Sequence, residues 1–212
     1  MSKYSAIIFD LDGVICHTDK YHYKAWKAVA DNLGIYFDET INHRLRGVSR
    51  MESFEIILER HPQPMAEVEK ITWANKKNDI YVKLLENLKP EDVDVTPTLD
   101  ALKNLGLKLA IGSSSKNARF ILKQIGLLDA TFDTIVDGNN IANSKPHPEV
   151  FLAAAAQLGI PPAQCLVVED AESGVDAALA AGMHCAAIGD ATRCGKGHYQ
   201  LTSLEGILKI VM

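Results

Sequence analysis

The chain has no apolar run near the roughly 18 residues that span a bilayer as a helix, so no membrane-spanning helix and no membrane partner are expected. Its first apolar stretch is short, carries no basic leader and runs straight into Asp10, which does not fit a secretory signal. A cytoplasmic location is expected. Cysteine is sparse and scattered: Cys16, Cys165, Cys185 and Cys194 form no C-x-x-C pair. A disulfide framework or zinc site is therefore not expected, and reduced, mostly buried thiols are. There is no block of five or six like charges, and the formal net charge is −5, which argues against a nucleic-acid partner. Any cation in a binding site must be local. Internal repeats and low-complexity tracts are also missing.

What is present is a globular composition, 47% hydrophobic and 23% charged over 212 residues, with enough length to bury roughly 70% of the unfolded surface. Four short apolar runs stand out: 6 to 10 (AIIFD), 107 to 115 (LKLAIGSSS), 164 to 170 (QCLVVED) and 183 to 190 (MHCAAIGD), with 134 to 138 (TIVDG) a weaker fifth. Their apolar residues are consecutive rather than alternating, as in parallel strands covered on both faces. Helical patterns over 96 to 106, 116 to 126, 147 to 159 and 173 to 182 lie between them, and each closes on a glycine. This alternation predicts right-handed crossovers and an α/β fold: a doubly wound parallel sheet, or Rossmann-like core. Residues from about 18 to about 87 carry helical spacing and no convincing strand. The expected division is a catalytic core of residues 1–15 and 93–212 and an inserted all-helical cap domain of residues 16–92, with the two-proline stretch 87 to 97 as the return linker.

Ligands of open parallel sheets bind at the carboxyl ends of the strands. The polar residues there are Asp10 and Asp12, the serines Ser113, Ser114 and Ser115, and the pair Glu169 and Asp170, joined by Lys145 from a loop. Buried carboxylates cost several kcal/mol unless compensated, and carboxylate oxygens are what Mg²⁺ prefers. Serine hydroxyls and amides ahead of a helix suit a phosphate, and Lys145 can neutralise it. Asp10 can then serve as nucleophile, with Asp12, two positions on and sharing a strand's period, as general acid and base. Taken singly, each feature has a plainer reading. A D-x-D is commonly a turn or cap, a lysine a surface charge, and the serines a cap for a helix at 116. "GVSR" (47 to 50) can be a simple loop, and His22 and Trp26, at i and i+4, can pack inside the insert.

Together, "DLDGV" (10 to 14), "SSSKN" (113 to 117), "SKPHPEVF" (144 to 151) and "VVEDAESGVDAALAAGM" (167 to 183) resemble, in order, the four motifs of the haloacid dehalogenase-like phosphotransferases. Within them, "YHYKAWKAVADNLGI", "LRGVSRMESFEIIL" and "NKKNDIYVKLL" are similar to the β-phosphoglucomutase subgroup. The resemblance implies Asp10 as the residue that becomes an aspartyl phosphate and Asp12 as acid and base. It implies Mg²⁺ held by the Asp10 side chain, the Asp12 backbone carbonyl and Asp170, with Glu169 close by. Ser113, with Ser114 beside it, and Lys145 would hold the transferring phosphate; Arg50, Ser115, Lys116 and Asn117 would face a distal one. Thr18, His22, Trp26, Gly47, Val48, Ser49, Arg50 and Lys77 would shape the sugar site and closure of the cap. The implied substrate is a small sugar phosphate, β-D-glucose 1-phosphate interconverted with glucose 6-phosphate, handled by a monomer.

Cys16 and His17 stand where the subgroup often has small polar or acidic residues, and Ser114 where alanine is common. These departures bear on substrate preference rather than reaction class. A sugar-phosphate phosphatase would share every core residue. A dehalogenase would need no acid at position 12, and a non-catalytic binding protein on this fold would be expected to have lost a motif residue, yet none is missing.

Overall fold

The computed structural model describes residues 3–212. Six parallel strands, β1 (Ala6–Phe9), β2 (Lys108–Gly112), β3 (Thr134–Val136), β4 (Cys165–Glu169), β5 (His184–Ile188) and β6 (Tyr199–Leu201), form one sheet in the order β3-β2-β1-β4-β5-β6. Chain progression reverses between β1 and β4. That reversal leaves a crevice at the carboxyl ends of these two strands, where doubly wound sheets bind ligands. Asp10 directly follows β1, and Glu169 and Asp170 end and follow β4.

The consecutive apolar residues of β1 serve two cores. Ile7 and Phe9 join the cluster under α5 (Thr96–Asn104) and α6 (Ala118–Gln124), while Ala6 and Ile8 join the cluster under α7 (Glu149–Leu158) and α8 (Glu172–Ala180). With both faces covered, alternation has no reason to appear in the sequence. The sixth strand was not among the expected runs. It is three residues long with an exposed centre at Gln200, too short and too polar to announce itself. A short helix, α9 (Leu208–Val211), closes the chain.

Between β1 and β2, ahead of α5, lie α1 (Asp19–Asn32), α2 (Glu39–His43), α3 (Arg50–Leu58) and α4 (Glu67–Leu85). They enclose an apolar cluster of their own that includes Trp26, Val29, Phe37, Phe54 and Ile57. Tyr21 and Ala25 of α1 and Tyr81 and Leu85 of α4 instead belong to the cluster shared with the sheet. Among the described residues no helix is long and apolar enough to cross a membrane.

Candidate active site

The strand β1 stops at Phe9, so Asp10 and Asp12 stand on the loop beyond it rather than on a pleated strand. The shared direction expected from a strand's period of two is therefore not imposed here: Asp10 joins Glu169 and Asp170, while Asp12 turns to Thr18. The Asp10 amide donates to the Val168 carbonyl (2.9 Å), which pins the loop's start to β4. Gly13 then turns the chain at φ 87°, so close to Asp170 that a Cβ at 13 would collide with that carboxylate. Asp12 accepts a hydrogen bond from the buried Thr18 hydroxyl. Burial, and then the Asp10 charge, push Asp12 up to about 7, against the opposing pull of Thr18. A carboxyl so tuned can exchange a proton at neutral pH.

Lys145 is 2% exposed and its ammonium sits between two carboxylates, 2.5 Å from Asp10 and 2.6 Å from Glu169. Burial alone would lower its pKa, but the two carboxylates outweigh this and hold it above the usual range. Glu169 also accepts from the Ala171 amide (2.8 Å). The Asp170 carbonyl accepts from the Ala191 amide (2.8 Å), but its carboxylate makes no hydrogen bond or ion pair among the described residues. Burial, then Glu169 and Asp10, push it up to about 9. Oxygens of Asp10, Glu169 and Asp170 all lie within 4.8 Å of one another. Three crowded carboxylates with one ammonium among them leave negative charge uncompensated, and an all-oxygen donor set suits a hard cation such as Mg²⁺. The Asp12 side chain is not part of this cluster, so only its backbone carbonyl remains as the ligand expected from it.

The Gly13 turn carries a prediction. In Gly13→Ala both the left-handed backbone, costing about 1–3 kcal/mol, and the collision with Asp170 should act together. Calorimetric Mg²⁺ titration should show affinity reduced at least about tenfold. Wild-type Mg²⁺ affinity in the folded variant would refute Asp170 as a ligand.

The serine loop continues β2. Ser113 Oγ accepts from the Ser115 amide (3.1 Å), Ser115 Oγ from the Asn117 amide (3.2 Å), and Ser114 Oγ from the Lys145 amide (3.4 Å). The serines do not cap a helix at 116. That helix, α6, begins at Ala118, and its cap residue Asn117 makes no side-chain capping bond. Each hydroxyl that accepts an amide keeps its own O–H to donate to a phosphate oxygen.

On the insert side, Ser49 caps α3: its hydroxyl accepts from the Glu52 amide and its own amide donates to the Glu52 carboxylate. This box sets the pitch of the helix whose first residue is Arg50. Gly47 has φ 74° and lies against Ser173, where a Cβ would collide with the serine hydroxyl, so this close approach of insert to core at residue 47 requires a glycine. Lys77 Nζ donates to His22 Nδ1 (2.9 Å) and lies over the rings of Trp26 and Tyr81. Burial, then Arg50, lower Lys77 to about 7, and burial, then Lys77, lower His22 well below its ordinary value. Trp26 stacks on Phe54 at 5.6 Å between ring centres, serving the insert's core as well as the cavity wall.

A cavity of about 480 Å³ between sheet edge and insert is lined by all the residues expected from the sequence except Thr18. Thr18 reaches the site through Asp12. Two residues were not anticipated. Arg46 binds Asp19 of the insert and Asp190 of the core at once. Asn78 accepts from both Arg50 (2.7 Å) and Asn117 (2.8 Å). Asn78 lies within the quoted stretch NKKND, but its meaning depends on partners that only folding brings near.

Residues 4–182 match the family model of the haloacid dehalogenase-like hydrolases. The chain is 43% identical over 188 residues to the β-phosphoglucomutase of Bacillus subtilis, covering 87% of this chain and 83% of that protein. It is 32% identical over 186 residues to a fructose-1-phosphate phosphatase of Escherichia coli, covering 85% and 94%. A crystal structure of β-phosphoglucomutase from Clostridium difficile superposes with a TM-score of 0.90 at 37% identity, covering 96% of this chain and 93% of that one. With the motif carboxylates, serines and lysine gathered around one cavity, the chain belongs to the haloacid dehalogenase-like hydrolase family, and within it is similar to the β-phosphoglucomutases.

Proposed function

We propose that the protein is a phosphomutase that interconverts β-D-glucose 1-phosphate and glucose 6-phosphate through an aspartyl phosphate on Asp10 and glucose 1,6-bisphosphate. The observation that supports this is a second cationic group in the same cavity as Lys145. Lys145 is engaged with Asp10 and Glu169, whereas Arg50, from the insert, hydrogen-bonds the neutral Asn78 and, among the described residues, forms no ion pair with a carboxylate, which leaves its charge for another anion. A simple phosphatase needs one phosphate site. A mutase, whose intermediate carries two phosphates, needs both.

Asp10 attacks phosphorus, the phosphorus–oxygen bond to the sugar breaks, and Asp12 gives its proton to the departing sugar oxygen. In the reverse direction a sugar hydroxyl returns its proton to Asp12 and takes the phosphoryl group from Asp10. Ser113 and Lys145 hold the transferring group, while Arg50, Ser115, Lys116 and Asn117 hold the other phosphate. Mg²⁺ held by Asp10, Glu169, Asp170 and the Asp12 carbonyl would offset the charge of the transferring oxygens. Residues 16–92 act as a cap that excludes water when sugar binds, with His22, Lys77 and the 47 to 50 loop facing the sugar.

The test supplies β-glucose 1-phosphate, Mg²⁺ and a trace of glucose 1,6-bisphosphate, and measures glucose 6-phosphate and free phosphate together. Isomer is expected to outrun phosphate by at least about 10²-fold, the scale of a recruited acid–base group. If phosphate release keeps pace for every sugar tried, the protein is a sugar-phosphate phosphatase.

A further inference from the structure

Asn78 lies on α4 beside Lys77, is half-buried, and does not line the cavity. Its one carboxamide oxygen receives two donors from different parts of the molecule: Nη2 of Arg50, at the start of α3 in the insert, and Nδ2 of Asn117, in the core loop before α6. We infer that Asn78 is a positioning residue, which joins insert to core at the cavity wall formed by Arg50 and Asn117 and orients these two for an anionic group there.

The donor inventory explains the choice of asparagine. A guanidinium has five N–H donors and a carboxamide two, and Asn78 engages one of each. The remaining donors are held in fixed directions by the bonds already made, so less side-chain freedom is lost when an anion arrives. An aspartate at 78 would make the same two bonds but neutralise the guanidinium, cancelling the charge that attracts the anion. An alanine would free both donors and cut the bridge between α4 and Asn117. Asparagine alone of the three gives position without neutralisation. Since one oxygen joins the two parts, the same residue also favours closure of the cleft before any ligand is present.

The inference rests on reading Arg50 and Asn117 as the distal-phosphate site, and the experiment separates the two. In Asn78→Ala, KM for glucose 1,6-bisphosphate should rise about tenfold, the effect of one hydrogen bond to a charged group, with kcat changed less than about threefold. Phosphorylation of Asp10 by acetyl phosphate, which has no distal phosphate, should be unchanged. Small-angle scattering of the ligand-free variant should show the insert further from the core. Asn78→Asp, close in shape, should scatter like wild type, yet raise KM at least as much and respond more steeply to salt. Unchanged KM and scattering in Asn78→Ala would overturn the inference. So would equal losses with bisphosphate and acetyl phosphate, which would mean a general structural role. Arg50→Ala is the control: if it leaves KM for bisphosphate unaltered, the distal-phosphate reading fails, and the scattering result alone decides whether Asn78 joins insert to core. Should Asn78→Ala not fold, the contrast between Asn78→Asp and wild type in KM and salt response decides.

Discussion

Asparagine in place of Asp10 is expected to lower turnover by at least about 10³-fold while leaving the protein folded. The amide is the same size as the carboxylate, and Lys145 keeps its 2.6 Å partner in Glu169, so the cation is not stranded in the interior. A carboxamide is a poor nucleophile toward phosphorus and cannot form the acyl phosphate. Mass spectrometry after exposure to acetyl phosphate should find covalent phosphate on the wild type and none on Asp10→Asn. The neighbouring Asp12 cannot substitute, since its carboxylate is turned toward Thr18 and lies outside the acidic cluster. A folded Asp10→Asn protein that retains even a tenth of wild-type turnover would remove Asp10 from the chemistry.

The features readable in the sequence are those whose cause is local. The strands β1 and β4 were legible because both faces are covered and every position before the last residue of β4 is apolar, and the acids at their ends were legible because a strand end is a place in the chain as well as in space. The sheet's sixth strand has neither property. The start of α6 was misplaced by two residues because serines ahead of a helix are ordinarily caps, and here Ser113 and Ser115 turn their oxygens to amides of their own loop. Arg46 and Asn78 were invisible for a different reason. The Arg46 partner Asp190 is 144 residues away, and Arg50 and Asn117 are 28 and 39 residues from Asn78. Nothing in the spacing of a single chain marks such pairs. The resemblance of the motifs reached the carboxylates, serines and lysine around the cavity, and the geometry was needed to find Arg46 and Asn78.

Lys145→Met should combine a loss of stability with a loss of activity, and the two should respond differently to metal. Methionine has nearly the length and shape of the lysine stem and can occupy the slot over Phe151, whose ring centre lies 4.8 Å from the ammonium. Packing is therefore conserved and charge is what is lost. Asp10 and Glu169 then remain buried beside Asp170 without their counter-ion. Removing one partner of a buried ion pair costs about 3–5 kcal/mol, and denaturant unfolding in the presence of a chelator should show a decrease of that size. Adding Mg²⁺ should recover part of it, because ions that bind only the folded state stabilise it in proportion to their occupancy. Turnover should remain about 10²- to 10³-fold low even in saturating Mg²⁺, the effect of removing one preorganised donor from the developing charge. If Mg²⁺ restored activity as well as stability, Lys145 would be a spacer for the carboxylates and not a ligand of the transferring phosphate. If the chelated variant unfolded at the wild-type denaturant concentration, the ion pairs that Lys145 makes would contribute nothing net to the fold.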